Sequence, residues 1–178
     1  MKTICHISFI ICSLFANTLF SQTTGNRNVS VTLPVVTLLD VEPAGTITLN
    51  FTAPTEAGRA IVNPTGNTSK WINYTSAIAP GGLSRQITAS INQTIPGVDI
   101  KIQAATASGA GGGTLGTPTG QLTITTTPVT IINGIGGAYT GTGTNNGHRL
   151  TITIAPNNYS NLSAVNNSSV AITYTITE

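Results

Sequence analysis

Apolar and polar residues alternate along most of the chain beyond its first two dozen positions. In RQITASI (85–91), for example, Ile87, Ala89 and Ile91 are separated by polar residues. A period of two puts every second side chain on one face of a strand, so the pattern predicts β-strands with one buried face. The alternating segments are 28–34, 45–53, 85–91, 99–104, 121–127, 129–134, 149–155 and 170–177.

Clusters of Pro, Gly and Asn separate these segments. Examples are NPTGN, APGGLS and APNNYSN, which are typical of turns. We therefore predict an all-β fold, a single antiparallel and immunoglobulin-like β-sandwich of about nine or ten strands. A β-solenoid is the alternative, but it requires a fixed repeat that the sequence does not show.

The first residues have a different composition. Lys2 precedes an apolar run that ends near Phe15, and small residues follow up to Ser21. This is typical of a cleaved secretory signal peptide, and the run is short for a membrane anchor, which needs about 20 residues. We predict a signal peptide at 1–21 and one domain at 22–178, secreted to the periplasm, cell surface or extracellular space, without a membrane span after cleavage.

The composition disfavours several classes of function. Both cysteines, Cys5 and Cys12, lie in the predicted signal peptide, and His148 is the one histidine beyond it. Seven Lys and Arg against five Asp and Glu leave no basic patch for nucleic acid. We expect no metal, no cofactor and no enzymatic activity, and a net charge near zero favours association.

A glycine motif resembles a nucleotide-binding fingerprint. Gly111, Gly113 and Gly116 fit G-x-G-x-x-G. That site needs a helix after its last glycine, whereas Pro118 and a strand-like segment follow here. We therefore predict two glycine-rich loops, at 109–120 and 134–147, and no nucleotide.

Two weak catalytic patterns remain. His148 could form a triad with a serine and Asp40 or Asp99. Asp40 and Glu42 lie two residues apart, on one face of a predicted strand, as paired carboxylates of a glycoside hydrolase could. One histidine and a few acids are common without catalysis, so we expect structural roles.

Three aromatic residues are ligand-contact candidates: Trp71, Tyr139 and Tyr159. Trp71 lies in SKWINYTS and is either a core residue or a ring exposed for sugar stacking. Tyr139 and Tyr159 are flanked by Gly, Asn and Ser, which favours positions in exposed loops.

The residues after the predicted cleavage site form an alternating apolar segment. Val29, Val31, Leu33 and Val35 share one face of a predicted strand. An extended segment near a terminus can complete the sheet of a neighbouring molecule by strand addition. The alternative is an ordinary first strand that pairs within its own domain.

The signal peptide, the TGTGT segment at 140–144 and the final VAITYT at 170–175 carry a resemblance. The chain resembles secreted pilin-type proteins of Gram-negative bacteria, in particular the spore coat protein U-like pilins of archaic chaperone–usher systems. The resemblance implies an immunoglobulin-like sandwich and assembly by strand exchange. We expect a non-enzymatic structural or adhesive protein, whose partners are its own copies or other surface-protein subunits. The alternative is a monomeric binding module for carbohydrate or another surface ligand.

Overall fold

The computed structural model describes residues 24–166 and 168–177. The chain divides into two units after Leu33, and every strand described belongs to the unit that begins at Pro34. The predicted signal peptide, 1–21, lies outside the described residues. Within the described ranges, no helix has the length and apolar character needed to cross a membrane.

The described chain is almost entirely β-structure. It contains one short 3-10 helix, Tyr159–Asn161. The nine strands are β1 (Val36–Glu42), β2 (Asn67–Ala77), β3 (Arg85–Ile91), β4 (Val98–Ala104), β5 (Gly112–Pro118), β6 (Leu122–Ile124), β7 (Val129–Tyr139), β8 (His148–Pro156) and β9 (Ile172–Thr177).

The strands join into one nine-stranded antiparallel sheet in the order β6-β4-β8-β2-β7-β3-β9, with β1 on β2 and β5 on β7. Strand β2 occupies the middle: Lys70 pairs with Leu150 of β8, and further along Ser76 pairs with Ala138 of β7. The predicted all-β class is therefore confirmed. The two-layer, immunoglobulin-like arrangement stays a prediction.

The core is built largely from isoleucine on the inward positions of the alternating segments. In β3, Ile87, Ala89 and Ile91 are buried, as the alternation predicts. Burying an isoleucine side chain contributes about 1.5–3 kcal/mol, so these positions supply much of the driving force for folding. The other buried apolar residues are Ile72, Tyr74, Ile100, Ile102, Ala104, Ile124, Ile131, Ile132, Ile135, Ala138, Leu150 and Ile152.

Two alternating segments do not form the predicted strands. Residues 24–35 have no strand assignment, and β1 begins at Val36. The segment 45–53 forms one isolated bridge, between Thr52 and Val62. Alternation determines which side chains share a face, but a strand also needs a continuous hydrogen-bonded neighbour. Among the described residues, 24–35 has none and 45–53 has only the bridge at Thr52.

The predicted glycine-rich loops are wrong over much of their length. Residues 112–118 form β5, and residues 134–139 continue β7, against which β5 pairs. Glycine is required at Gly113, where φ is +88° and an added Cβ would lie 2.2 Å from the carbonyl oxygen of Gly137. The glycines therefore permit two backbones to approach closely around a register shift between Gly113 and Leu115.

Candidate functional site

The strand register brings several of the sequence candidates onto one surface. Asp40 lies opposite Asn73, and Glu42 lies opposite Trp71. Thr75 lies opposite Leu38 of β1 and also opposite Tyr139 of β7. Directly opposed residues point to the same side of a sheet. We call this surface the β1–β2 face; its residues are Leu38, Asp40, Glu42, Trp71, Asn73, Thr75 and Tyr139.

A pocket of about 290 Å³ lies on the β1–β2 face. Strands β1 and β2 form one wall, and the loop at 141–143, within the TGTGT segment, forms the other. The lining residues are Leu39, Asp40, Glu42, Asn73, Tyr74, Thr75, Gly141, Thr142 and Gly143. The two carboxylates that the sequence places on one strand face thus share a pocket with an amide.

Asn73 is held in a fixed orientation beneath the loop. Its side chain is only 6% exposed, and its Nδ2 donates to the carbonyl oxygen of Asn146 at 2.7 Å. If the side-chain amide of Asn73 were turned over, its oxygen would face the carbonyl oxygen of Asn146, and two acceptors cannot form a hydrogen bond. The atom that faces Asn146 is therefore Nδ2, and Oδ1 lies on the other side of the amide group. Asn73 Oδ1 is buried and has no hydrogen-bond partner in the described part of the chain. An unpaired buried acceptor costs about 1–3 kcal/mol.

Two of the three aromatic candidates lie on this face. Trp71 is half-buried and lies outside the core, where Ile72 and Tyr74 occupy the inward positions of β2. Tyr139 is 56% exposed. Its ring covers Gly112, because a Cβ added there would lie 3.3 Å from Cε1 of Tyr139. The strand register gives a separation of about 14 Å between Trp71 and Tyr139.

Tyr159 lies elsewhere. It begins the 3-10 helix, and its hydroxyl accepts a hydrogen bond from the backbone N–H of Ile61 at 2.9 Å. Ile61 and Leu162 line a separate, larger cleft. The structure therefore does not bring Tyr159 together with Trp71 and Tyr139.

This second site, which we call the apolar cleft, has a volume of about 1130 Å³. Isoleucines of β4 and β8 contribute to its lining, together with the segments 43–51, 162–166 and 168–170 and part of β9. Lys70 is the one charged residue among the described lining residues. The apolar lining residues from strands are Val41, Val98, Ile100, Ile152, Ile154, Ile172 and Tyr174.

One wall of the apolar cleft resembles a strand that lacks a neighbour. Ile47, Leu49 and Phe51 are half-buried, and the residues between them are exposed. Among the described residues, no backbone hydrogen bond from 46–51 to another segment is found before the bridge at Thr52. Lys70 fixes the start of this wall by donating to the carbonyl oxygens of Pro43 and Gly45, the latter at 2.7 Å.

The strand-addition candidates are exposed. Val29, Val31 and Leu33 are 82–83% exposed and Val35 is 59% exposed, and none lies in a strand. Residues 28–34 form no strand, and the first strand that pairs within its own domain is β1, at Val36–Glu42. A row of exposed alternating apolar side chains is typical of a segment that pairs with another molecule.

Sequence reasoning missed a buried polar pair. His148 is fully buried on β8, with Nδ1 2.8 Å from the carbonyl oxygen of Ala105 and Nε2 3.1 Å from the Tyr74 hydroxyl. The Tyr74 hydroxyl also contacts the carbonyl oxygen of Leu115. Burial lowers the pKa of His148 against the opposing effect of its bonds to Ala105 and Leu115, and burial raises the pKa of Tyr74. Neither Asp40 nor Asp99 is among these partners.

A search of residues 24–166 and 168–177 finds no group of three or more His, Cys, Asp or Glu residues that could hold a metal. The two candidate sites are the pocket of the β1–β2 face and the apolar cleft. Comparison with known proteins adds no assignment to either site. No family model, curated protein or solved structure matches the chain.

Proposed function

We propose that this chain is a non-enzymatic, secreted structural or adhesive protein that assembles with its own copies by β-strand addition. Residues 29–35 of one copy would enter the apolar cleft of another. The observation that carries the proposal is the strand-like wall at 45–51, which packs apolar side chains inward yet has no neighbouring strand in the part of the chain that the structure describes. An added strand would provide its backbone groups with partners.

The proposed donor matches the cleft in charge and pattern. Residues 28–36 contain no charged side chain, and the cleft has Lys70 alone, whose amine is already bonded to Pro43 and Gly45. From Val29 to Val35 an extended strand measures about 20 Å, with four apolar side chains on one face. Removing these side chains from water supplies a driving force of about 25 cal/mol per Å² of apolar area.

The backbone of the donor has one restriction. Pro34 has no N–H group, so it can pair only where its nitrogen faces away from the acceptor. The donor must pair with Val29, Val31, Leu33 and Val35 facing the cleft floor, because a slip by one residue would turn Ser30 and Thr32 inward.

Assembly can be tested with two matched charge variants of the mature chain. Val31→Asp with Leu33→Asp places two charges on the face proposed to enter the cleft. Ser30→Asp with Thr32→Asp places the same charges on the opposite face of the same segment. We expect wild-type protein and the second variant to form oligomers in sedimentation velocity as concentration rises, and the first to stay monomeric. A monomeric wild type, or equal loss of assembly in both variants, would refute strand addition.

A disulfide experiment can locate the acceptor. Both native cysteines lie within the predicted signal peptide, so a mature chain would carry only the introduced thiols. A Val31→Cys protein mixed with a Leu49→Cys protein is expected to yield a mixed dimer on mild oxidation. Leu83→Cys is the control, because Leu83 is 73% exposed and does not line the cleft. Equal crosslinking to Leu49 and Leu83 would contradict the proposed acceptor.

A second candidate function is carbohydrate binding on the β1–β2 face. The observation in its favour is that exposed Tyr139 and half-buried Trp71 flank polar Asp40, Asn73 and Thr75. Aromatic rings provide apolar platforms, and polar groups between them provide hydrogen bonds, which is how small-molecule sites combine affinity with orientation. The separation of the rings favours an oligosaccharide.

A glycan array tests this candidate with a built-in control. We expect Trp71→Ala and Tyr139→Ala each to reduce binding at least about tenfold, a loss of about 1.4 kcal/mol. Tyr159→Ala should leave binding unchanged, because Tyr159 lies outside the β1–β2 face. The absence of any glycan signal for the wild type would exclude the carbohydrate form of this function.

A further inference from the structure

We propose that the pocket on the β1–β2 face binds Ca²⁺ through the carboxylates of Asp40 and Glu42 and the amide oxygen of Asn73. This inference goes beyond strand addition and does not depend on it. It rests on the burial and hydrogen bonding of Asn73 and on the charge of the two acids.

The two acids form a concentrated negative charge. They are alternate residues of β1 on one face, so their Cα atoms are separated by about 6.8 Å. In the part of the chain that the structure describes, the ion pair found is Arg59–Glu56, and none involves Asp40 or Glu42. Two carboxylates that share a pocket without a cationic side chain repel each other, and a divalent cation between them would remove that repulsion.

Asn73 provides the independent observation. Its side chain is more than nine-tenths buried and lines the pocket, and its Nδ2 is committed to the carbonyl of Asn146. This leaves Oδ1 as a buried acceptor without a donor. A cation would satisfy this oxygen. Asp40 lies directly opposite in the strand register; its Oδ1 accepts from the backbone N–H of Val41 at 2.7 Å, and its carboxylate keeps further lone pairs for a cation.

The oxygen-only ligand set selects the type of metal. No histidine or cysteine lines the pocket, so the softer transition metals lack their preferred ligands. Ca²⁺ accepts six to eight oxygens in irregular geometry, with water at open positions, whereas Mg²⁺ demands a near-ideal octahedron. A site with three protein side chains, of which Asn73 is buried and Asp40 is exposed to water, suits weak binding, with a Kd on the order of 10⁻⁴–10⁻³ M.

Terbium luminescence provides a direct test in the mature full chain. Trp71 is the one tryptophan of the sequence and lies opposite Glu42, so it can sensitise a Tb³⁺ ion bound beside that carboxylate. We expect Tb³⁺ emission on excitation of Trp71, and its loss when Ca²⁺ is added. Calorimetry with Ca²⁺ alone measures the affinity without the probe. No heat of binding with Ca²⁺ up to about ten times the expected weakest Kd would overturn the proposal.

Single substitutions of the three proposed ligands, with Glu56→Gln as the control, test which residues bind Ca²⁺. Asp40→Asn and Glu42→Gln, both on an accessible strand face, are expected to weaken Ca²⁺ binding at least tenfold, while Glu56→Gln leaves it unchanged. Asn73→Ala should also weaken binding, and circular dichroism checks that it folds; if it does not, the two acid variants decide. Unchanged affinity in Asp40→Asn and Glu42→Gln would place any Ca²⁺ elsewhere and refute the proposal.

Discussion

The buried side chains of His148 and Tyr74 stack on each other, with ring centroids 5.8 Å apart and ring planes inclined by 19°. The carbonyl of Ala105 can only accept a hydrogen bond, so neutral His148 carries its proton on Nδ1. Its Nε2 lies 3.1 Å from the Tyr74 hydroxyl and 3.1 Å from the carbonyl oxygen of Leu115, to which that hydroxyl donates. This pair joins the neighbouring strands β2 and β8 through side chains as well as backbone.

The stability of the fold should fall on mild acidification because of His148. Burial lowers the pKa of His148 below its unfolded value of about 6.5. A group with a lowered folded pKa contributes stability that is present above the unfolded pKa and lost as pH falls. Denaturant unfolding at about pH 7.5 and pH 5 should show a larger loss in the wild type than in His148→Gln. Equal losses would show that carboxylates alone cause the pH dependence.

Gly113→Ala should destabilise the β5–β7 pair strongly. The added Cβ would overlap the carbonyl oxygen of Gly137 at 2.2 Å, at a φ that L-residues rarely adopt. We expect a loss of more than about 2 kcal/mol in the free energy of unfolding. Gly137→Ala is the matched control, because nothing lies within 4 Å of its added Cβ. Similar losses in both would contradict the close-approach explanation.

Replacing Arg85 should destabilise the fold at the start of β1. Arg85 is 2% exposed, and its guanidinium donates to the carbonyl oxygen of Val36 at 2.5 Å and to Ser76 Oγ at 3.0 Å. Arg85→Met leaves these acceptors without that donor, so we expect a loss of about 2–4 kcal/mol in equilibrium unfolding. Arg149→Met, on an exposed position of β8, should cost less than about 0.5 kcal/mol.

Lys70→Met should loosen the wall of the apolar cleft. The lysine amine bonds the carbonyls of Pro43 and Gly45, and methionine keeps the apolar part of the side chain without these bonds. Hydrogen exchange at the amides of Thr52 and Val62, which bond to each other's carbonyls at the end of the wall, should become faster, while exchange in the core of β3 stays slow. Lys101→Met serves as the control. Unchanged exchange at Thr52 and Val62 would show that packing of Ile47 and Leu49 alone holds the wall.

The alternation in the sequence correctly predicted strands that pair with other strands of the sheet, such as β3. The alternation in β3 placed Ile87, Ala89 and Ile91 inward, and each is buried. It could not distinguish β3 from 45–53, because both alternate and only the first has neighbours on both edges. Which distant segments pair depends on the whole chain, so the periodicity of a single segment cannot predict its partner.

The prediction of glycine-rich loops was wrong over 112–118 and 134–139 for a related reason. Glycine clusters usually mark turns, but in β5 they allow a backbone approach that any side chain would prevent. The pocket on the β1–β2 face was equally inaccessible to sequence reasoning, since Asp40 and Asn73 meet only through the β1–β2 register. The alternation did place Asp40 and Glu42 on one face, and it separated Trp71 and Asn73 from Ile72 and Tyr74.

The contact between Tyr139 and Gly112 has a thermodynamic consequence. A solvent-exposed tyrosine normally rotates among several conformers, and a ligand that stacks on it must restrict that rotation at a cost in entropy. Here the ring already lies over Gly112, where the absence of a side chain leaves room for it. A molecule that stacks on Tyr139 therefore meets a preorganised surface, and more of its contact energy is retained as binding affinity.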